Sequence, residues 1–159
     1  MSVLPAISVG IAGLSLLVAA SAYWFSRYSW KRRKEQNRRD LFLELHAKLS
    51  SKEQMQGRRI LRERVKSVGD AEELRDRPED ASQVYSALAM LDILGLYVDE
   101  DFVDGPLVLA EWGHVVVELH SHAQYVLTER RANGGSFRSQ WPHYQTLAGR
   151  ATGWVSQQR

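Results

Sequence analysis

The chain has 159 residues, which is enough for one domain of modest size. It contains no cysteine, and this excludes a disulfide scaffold, a thiolate metal site and a cysteine nucleophile. The formal charge of +2 hides a segregation of charge along the chain: residues 1–26 carry none, residues 27–39 carry +6 and residues 40–159 carry −4. The sequence therefore divides into an uncharged, a basic and an acidic segment.

The first segment, residues 1–26, is predicted to be a transmembrane anchor. Residues 3–25 contain no charged side chain, and a helix of that length extends roughly 35 Å at ~1.5 Å per residue, slightly more than the ~30 Å hydrocarbon core of a bilayer. One isolated segment cannot close a barrel, so a helix is the structure that satisfies its backbone in lipid. Tyr23 and Trp24 stand at its far end, where aromatic rings favour the headgroup level.

A cleaved signal peptide is the rival interpretation, because Ala20, Ser21 and Ala22 form the small-residue pattern that signal peptidase recognises. However, no Lys or Arg precedes the apolar run, and a basic cluster follows it at once. By the positive-inside rule this cluster stays in the cytoplasm. We expect a single-pass inner-membrane protein with its N-terminus outside and its C-terminal domain cytoplasmic, and the sequence leaves open whether the pattern is ever cut.

The second segment, residues 27–39, is a basic collar that we expect to contact anionic lipid headgroups. A basic residue near an anionic leaflet contributes about 1 kcal/mol to membrane attraction. The rival interpretation is that the collar only sets topology. Nucleic-acid binding is not expected, because it needs a positive surface on the folded domain, and residues 40–159 are net acidic. The collar consists of Arg27, Lys31, Arg32, Arg33, Lys34, Arg38 and Arg39.

The third segment, residues 40–159, is predicted to be an all-α cytoplasmic bundle of about four to five helices. Apolar residues recur three and four apart, and no persuasive stretch alternates with period two. A capping box at Ser50 and Glu53 predicts a helix that ends at Gly69 and Asp70. The apolar residues expected to face inward in the first two helices are Phe42, Leu45, Leu49, Ile60, Leu61, Val65 and Val68. The basic residues expected mostly to face outward are Arg58, Arg59, Arg62 and Lys66.

A central helix is predicted to begin near Pro78, a residue favoured in a first helical turn. Within it, residues 87–98 are apolar on every side and too few to span a membrane, which predicts a buried helix. Asp92 is expected either at a solvated edge or buried against an Arg. Asp99 is expected to cap a short turn at the end of this helix.

Two further helices are predicted, one over about residues 106–131 and one at the C-terminal end, with a flexible loop at residues 133–136 between them. Apolar spacing of three and four in the first of them suits near-antiparallel packing. Its expected core residues are Leu109, Trp112, Val116, Leu119, Ala123 and Val126. Those of the last helix are Trp141, Tyr144, Leu147, Ala148, Ala151 and Trp154.

The helix over residues 106–131 also carries four residues of metal-ligand type on one face: Glu111, His114, Glu118 and His122. Glu111 and His114 match the E-x-x-H spacing of di-iron bundles, but such a site needs a second copy of the motif and two more Glu. The face is predicted to point to solvent, so we expect neither a metal nor another cofactor. His120 is expected to be partly buried.

No local signature of catalysis is present. His46 and His143 stand apart from any Ser or acid pattern that would indicate a triad. A phosphate-cradling glycine loop and a nucleophile elbow are also absent from the sequence. We therefore do not expect an enzyme.

One run of residues resembles a known family. The run Leu94–Val103, LGLYVDEDFV, with Trp112, Glu129–Arg131 and Trp141–Leu147, resembles an uncharacterised bacterial domain-of-unknown-function family of short membrane-anchored helical proteins. The likeness covers about residues 40–148. It implies a bacterial helical membrane protein, and no activity, cofactor or catalytic residue comes with it.

The function that we expect is that of a membrane-anchored interaction or scaffold protein, which binds another protein or itself. The expected partner surface is an acidic belt made of Asp99, Glu100, Asp101 and Asp104. The alternative is a small membrane-active effector, of defence or toxin type, whose transmembrane helix oligomerises. Small residues four apart, such as Ala6 and Gly10, favour this alternative. The span offers no polar side chain larger than Ser that could line a pore, and this counts against the effector.

Overall fold

A computed structural model of the chain describes residues 35–134 and 140–158. The predicted transmembrane anchor lies outside the described residues, and so do the collar residues Arg27, Lys31, Arg32, Arg33 and Lys34. Arg38 and Arg39 are described, and both are helical.

The chain divides into two compact units, Met1–Arg39 and Asp40–Arg159. The described residues contain six helices and no strand, so the all-α prediction is confirmed, with more helices than the predicted four to five. The helices are α1 (residues 35–49), α2 (Lys52–Arg64), α3 (Val68–Arg75), α4 (Pro78–Asp99), α5 (Gly105–Ala132) and α6 (Pro142–Gln157).

The additional helix arises because the predicted second helix is two helices, α2 and α3. Ser67 accepts a hydrogen bond from the backbone N–H of Asp70 and starts α3, so Gly69 and Asp70 stand in a first turn rather than at a helix end. The Asp70 carboxylate accepts from the backbone N–H of Lys66, which lowers the pKa of Asp70. Val68, expected inside, is exposed at the surface.

The start of α2 was also predicted one residue early. Ser51, not Ser50, is the N-cap, and its hydroxyl accepts from the backbone N–H of Gln54. Arg58 was expected to face outward mostly, yet it is buried. Its guanidinium donates to the carbonyl oxygen of Leu49 at 2.8 Å and lies over the ring of Trp112, 5.3 Å from the centroid. Burial lowers the pKa of Arg58.

Helix α4 is the central helix of the unit Asp40–Arg159 and packs against α2 and α6. It begins at Pro78, as predicted, and has 22 residues. Among the described residues it is the one helix long and apolar enough to cross a bilayer, a test that the core helix of a folded domain also passes. In the structure it is a core helix, since four of its side chains have no solvent exposure: Val84, Leu88, Leu91 and Leu94.

Helices α5 and α6 supply most of the remaining core. The predicted stripe of α5 is buried from Trp112 to Val126, with Leu109 half-buried. On α6, the side chains of Tyr144, Leu147, Ala148 and Ala151 are buried. Trp154, which was also expected in this stripe, is half-buried. Apart from Leu109 and Trp154, the sequence pattern predicted the inward face of both helices correctly.

The start of α6 is unusual, because its N-cap residue Trp141 is left-handed, with φ 46°, and offers no side-chain acceptor. The acceptor comes from another helix instead. Asp92 of α4 accepts a hydrogen bond from the backbone N–H of Tyr144 at 2.8 Å. Asp92 is half-buried and bonded to backbone, so the expected edge position agrees with the structure and the alternative of burial against an Arg does not.

Two glycines of the core allow helix backbones to approach closely. A Cβ at Gly95 would lie against the carbonyl oxygen of His143 and 2.6 Å from its carbonyl carbon. A Cβ at Gly57 would meet the carbonyl group of Gln83 and stand 2.9 Å from the Cβ of Ala87. Glycine at these positions therefore sets the spacing between α4 and α6 and between α2 and α4.

Candidate functional site

The predicted acidic belt lies at the connection between α4 and α5. This connection is a tight turn in which the backbone N–H groups of Phe102 and Val103 both donate to the carbonyl oxygen of Tyr97. Asp101 is left-handed, with φ 57°, a conformation that Asp tolerates better than most residues. The turn buries Val103 and leaves Phe102 exposed.

Asp99, the first of the four predicted acids, has partners on α6. The carboxylate of Asp99 accepts from the imidazole Nδ1 of His143 and from Arg150, each at 2.9 Å, and the Asp99 side chain is 21% exposed. Asp99 therefore ties the end of α4 to α6 and caps no turn. The partner of His143 is 44 residues away in sequence, so no local pattern could have indicated this pair.

Asp104 is the N-cap of α5, where its carboxylate accepts from the backbone N–H of Leu107 at 3.2 Å. Glu100 and Asp101 are exposed. The belt is thus divided: Asp99 and Asp104 organise the fold around the turn, and Glu100 and Asp101 lie on its surface.

Large apolar side chains share this surface with the acids. Phe102 is 51% exposed and Leu107 is 41% exposed. The Phe102 ring meets the ring of Tyr97 edge-on, with centroids 5.7 Å apart, so it is held in place although half of it faces solvent. We call Glu100, Asp101, Phe102 and Leu107 the loop surface.

The four residues of metal-ligand type on α5 have separate roles. Glu118 pairs with Arg62 at 3.0 Å, and His122 Nδ1 lies 2.6 Å from the carbonyl oxygen of Val65. His114 packs edge-on against Trp154, whereas Glu111 is exposed. Across residues 35–134 and 140–158, no group of three or more such side chains is placed to hold a metal ion.

A polar cavity, which sequence reasoning missed, lies where the C-terminal end of α5 meets α3 and α4. It measures about 200 Å³ and is lined by Arg75, Tyr85, Glu129, Arg130 and Asn133. Glu129 is only 3% exposed. Its carboxylate Oε1 accepts from Arg75 at 3.1 Å and from the side-chain amide of Asn133 at 2.8 Å.

Arg130 lines the same cavity and contacts two aromatic rings. Its guanidinium carbon is 4.4 Å from the ring centroid of Tyr85 and 5.1 Å from that of Trp141. The sequence held only a weak signal for this site, the adjacent Glu129 and Arg130 near a helix end. Arg75 and Tyr85 come from 44 or more residues earlier in the chain, and no local spacing predicts such a meeting.

A third polar group is buried inside the bundle, between α5 and α6. Tyr144 has no solvent exposure, and its ring centroid is 6.2 Å from that of the half-buried His120. Neither the Tyr144 hydroxyl nor the His120 Nδ1 meets a hydrogen-bond partner within the described part of the chain. Burial lowers the pKa of His120 and raises that of Tyr144. The expectation of a partly buried His120 agrees with this placement.

Comparison of the chain with protein-family models, with curated proteins and with solved structures finds no match. The resemblance to an uncharacterised bacterial family stays a prediction.

Proposed function

We propose that this chain is a single-pass membrane protein whose cytoplasmic helical domain binds another protein. Residues 1–26 form the anchor in this proposal, and residues 27–39 form a collar at anionic headgroups. The charge segregation of the sequence supports it, since an uncharged span is followed at once by a +6 segment. Helix α4 is a core helix of the folded domain, so the proposal assigns the membrane segment to residues 3–25.

The observation that carries the binding role is the loop surface. Its two apolar side chains, Phe102 and Leu107, are about half exposed, and acids flank them. Apolar contacts bordered by polar groups are typical of protein interfaces, where aromatic residues are enriched. The surrounding sequence, residues 70–104, carries eleven acids and two bases. The complementary partner therefore presents an apolar pocket bordered by Lys or Arg.

Site-specific photo-crosslinking in native membranes tests this role. A photoreactive amino acid replaces Phe102 in one variant and Met55 in the control, because both side chains are 51% exposed. We expect discrete protein adducts from position 102 and none of the same mass from position 55. Glu100→Lys should reduce the yield at position 102, since it reverses a charge beside the apolar contact.

Two results would contradict the binding role: no adduct from position 102, or the same adducts from both positions. An adduct of twice the chain mass would identify a second copy as the protein bound. The membrane-active effector stays the alternative function. Induced expression with a membrane-potential dye separates the two, because depolarisation that disappears in the Gly10→Leu, Gly13→Leu variant would favour the effector.

A further inference from the structure

We propose that the polar cavity at the end of α5 binds a small organic carboxylate. The cavity takes no part in the loop surface, and the protein-binding role does not use it. Its volume is about 200 Å³. This is less than the ~300 Å³ at which the usual range of ligand pockets begins. The ligand is therefore a small molecule, of about the size of benzoate.

Arg130 is the group that recognises the carboxylate. The ring centroids of Tyr85 and Trp141 are 6.0 Å apart, too close for a guanidinium to lie between them as in a sandwich. The rings instead form a corner against which the Arg130 side chain rests. Arg130 also lines the cavity, and the two rings restrict the orientation of its guanidinium, which is a planar fork of N–H donors. That fork matches the two oxygens of a carboxylate.

The charge of the cavity also favours an anion. The cavity is lined by two guanidinium groups, those of Arg75 and Arg130, and by one carboxylate, that of Glu129. The Glu129 charge is already compensated by Arg75 and by the amide of Asn133. Among the described residues no hydrogen-bond acceptor meets the buried Nε of Arg130, and its guanidinium lies over the rings of Tyr85 and Trp141. One anionic group would supply the missing counter-charge.

The wall of the cavity indicates the rest of the ligand. Tyr85 provides an aromatic surface beside the charged groups. A carboxylate with a flat apolar body can contact this ring while its oxygens meet Arg130. Inorganic phosphate has no apolar part and would leave the Tyr85 surface without a contact. The class of ligand is thus a small carboxylate with an apolar body.

Isothermal titration of the full chain in detergent micelles tests the site with three probes. Sodium benzoate has the proposed chemistry, benzamide is its uncharged counterpart, and inorganic phosphate is an anion without an apolar body. We expect saturable binding of one benzoate per chain, with at least tenfold weaker binding of benzamide and phosphate. Equal binding of benzamide or of phosphate, or no saturable binding of benzoate, would overturn the proposal.

Variants assign the binding to this cavity. Arg130→Gln should weaken benzoate binding about tenfold or more, whereas Arg59→Gln, at an exposed residue paired with Glu63, should not change it. Arg130→Lys keeps the charge and loses the fork, so it should also weaken binding in a protein with an unchanged melting temperature. Wild-type affinity in both Arg130 variants would place the ligand elsewhere and refute the proposal.

Glu129→Gln distinguishes recognition from a merely structural effect. It removes the negative charge beside the ligand, and the amide oxygen of Gln still serves as an acceptor, so we expect it to tighten benzoate binding several-fold. A group that only held the fold together would give weaker binding when substituted. Weaker binding in Glu129→Gln, in a protein that melts as wild type, would contradict the electrostatic basis of the site.

Discussion

The carboxylate of Asp92, in the middle of α4, accepts a hydrogen bond from the backbone N–H of Tyr144, in the first turn of α6, at 2.8 Å. The first backbone N–H groups of a helix have no partner within the helix, and an N-cap side chain normally satisfies one of them. Trp141 cannot do so. A neighbouring helix therefore supplies the acceptor, and its negative charge stands at the positive end of the α6 dipole.

Substitution of Asp92 should weaken the attachment of α6 to α4. We expect Asp92→Ala to lower the free energy of unfolding by about 1–2 kcal/mol, the usual effect of removing a cap. Asp92→Asn keeps an acceptor oxygen and should cost less, about 0.3–1 kcal/mol from the lost charge. Urea unfolding followed by circular dichroism measures both, with the exposed Glu111→Ala as control. Equal stability of Asp92→Ala and wild type would show that this bond contributes nothing.

Glycines of α4 and α6 should respond to alanine in opposite directions. At Gly95 a Cβ would press on the backbone of His143, so we expect Gly95→Ala to destabilise the protein by about 1–3 kcal/mol. At Gly149 a Cβ would meet nothing within 4 Å. Gly149→Ala should stabilise the protein by about 0.5–1 kcal/mol, because alanine is the better helix former. Melting temperatures test the pair, and a stable Gly95→Ala would disprove the close contact of α4 and α6.

The buried histidine predicts a pH dependence of stability. Burial lowers the pKa of His120 in the folded state below its ordinary value of 6.5. Between that lowered pKa and 6.5 the unfolded chain binds more protons at this residue than the folded one does. Neutral His120 therefore makes its full contribution to the free energy of unfolding above about pH 6.5, and this contribution decreases as the pH falls.

His120→Gln should make the protein lose less stability between pH 7 and pH 5 than wild type does. Urea unfolding at a series of pH values gives the comparison. The exposed His114→Gln serves as the control for replacing a surface histidine of the same helix. If His120→Gln follows the same curve as wild type, the burial of His120 does not affect its protonation.

The helical pattern was predictable from the sequence because it depends on local periodicity. The stripe from Trp112 to Val126 was recognised by spacing alone, and these residues are buried. The division between α2 and α3 was missed, since capping signals were read at Ser50 and not at Ser51 and Ser67. Those serines all fit the composition of a cap, and packing of the neighbouring helices selects among them.

The polar contacts were not predictable, because their partners are distant in sequence. Arg58 looked like one of several outward basic residues, yet it reaches the carbonyl oxygen of Leu49 and the ring of Trp112. Asp99 looked like a surface acid, yet it binds side chains of α6. Local composition gives the charge of a residue, and only the packing of helices determines which partner that charge meets.

Reporters fused after Arg159 test whether the helical domain is membrane-anchored and cytoplasmic. We expect a green fluorescent protein fusion to be fluorescent in the membrane fraction of a bacterial host, because that reporter matures in the cytoplasm. We also expect an alkaline phosphatase fusion, active only in the periplasm, to show no activity. Phosphatase activity together with a dark fluorescent-protein fusion would contradict the cytoplasmic domain, and recovery of the fluorescent fusion in the soluble fraction would contradict the anchor.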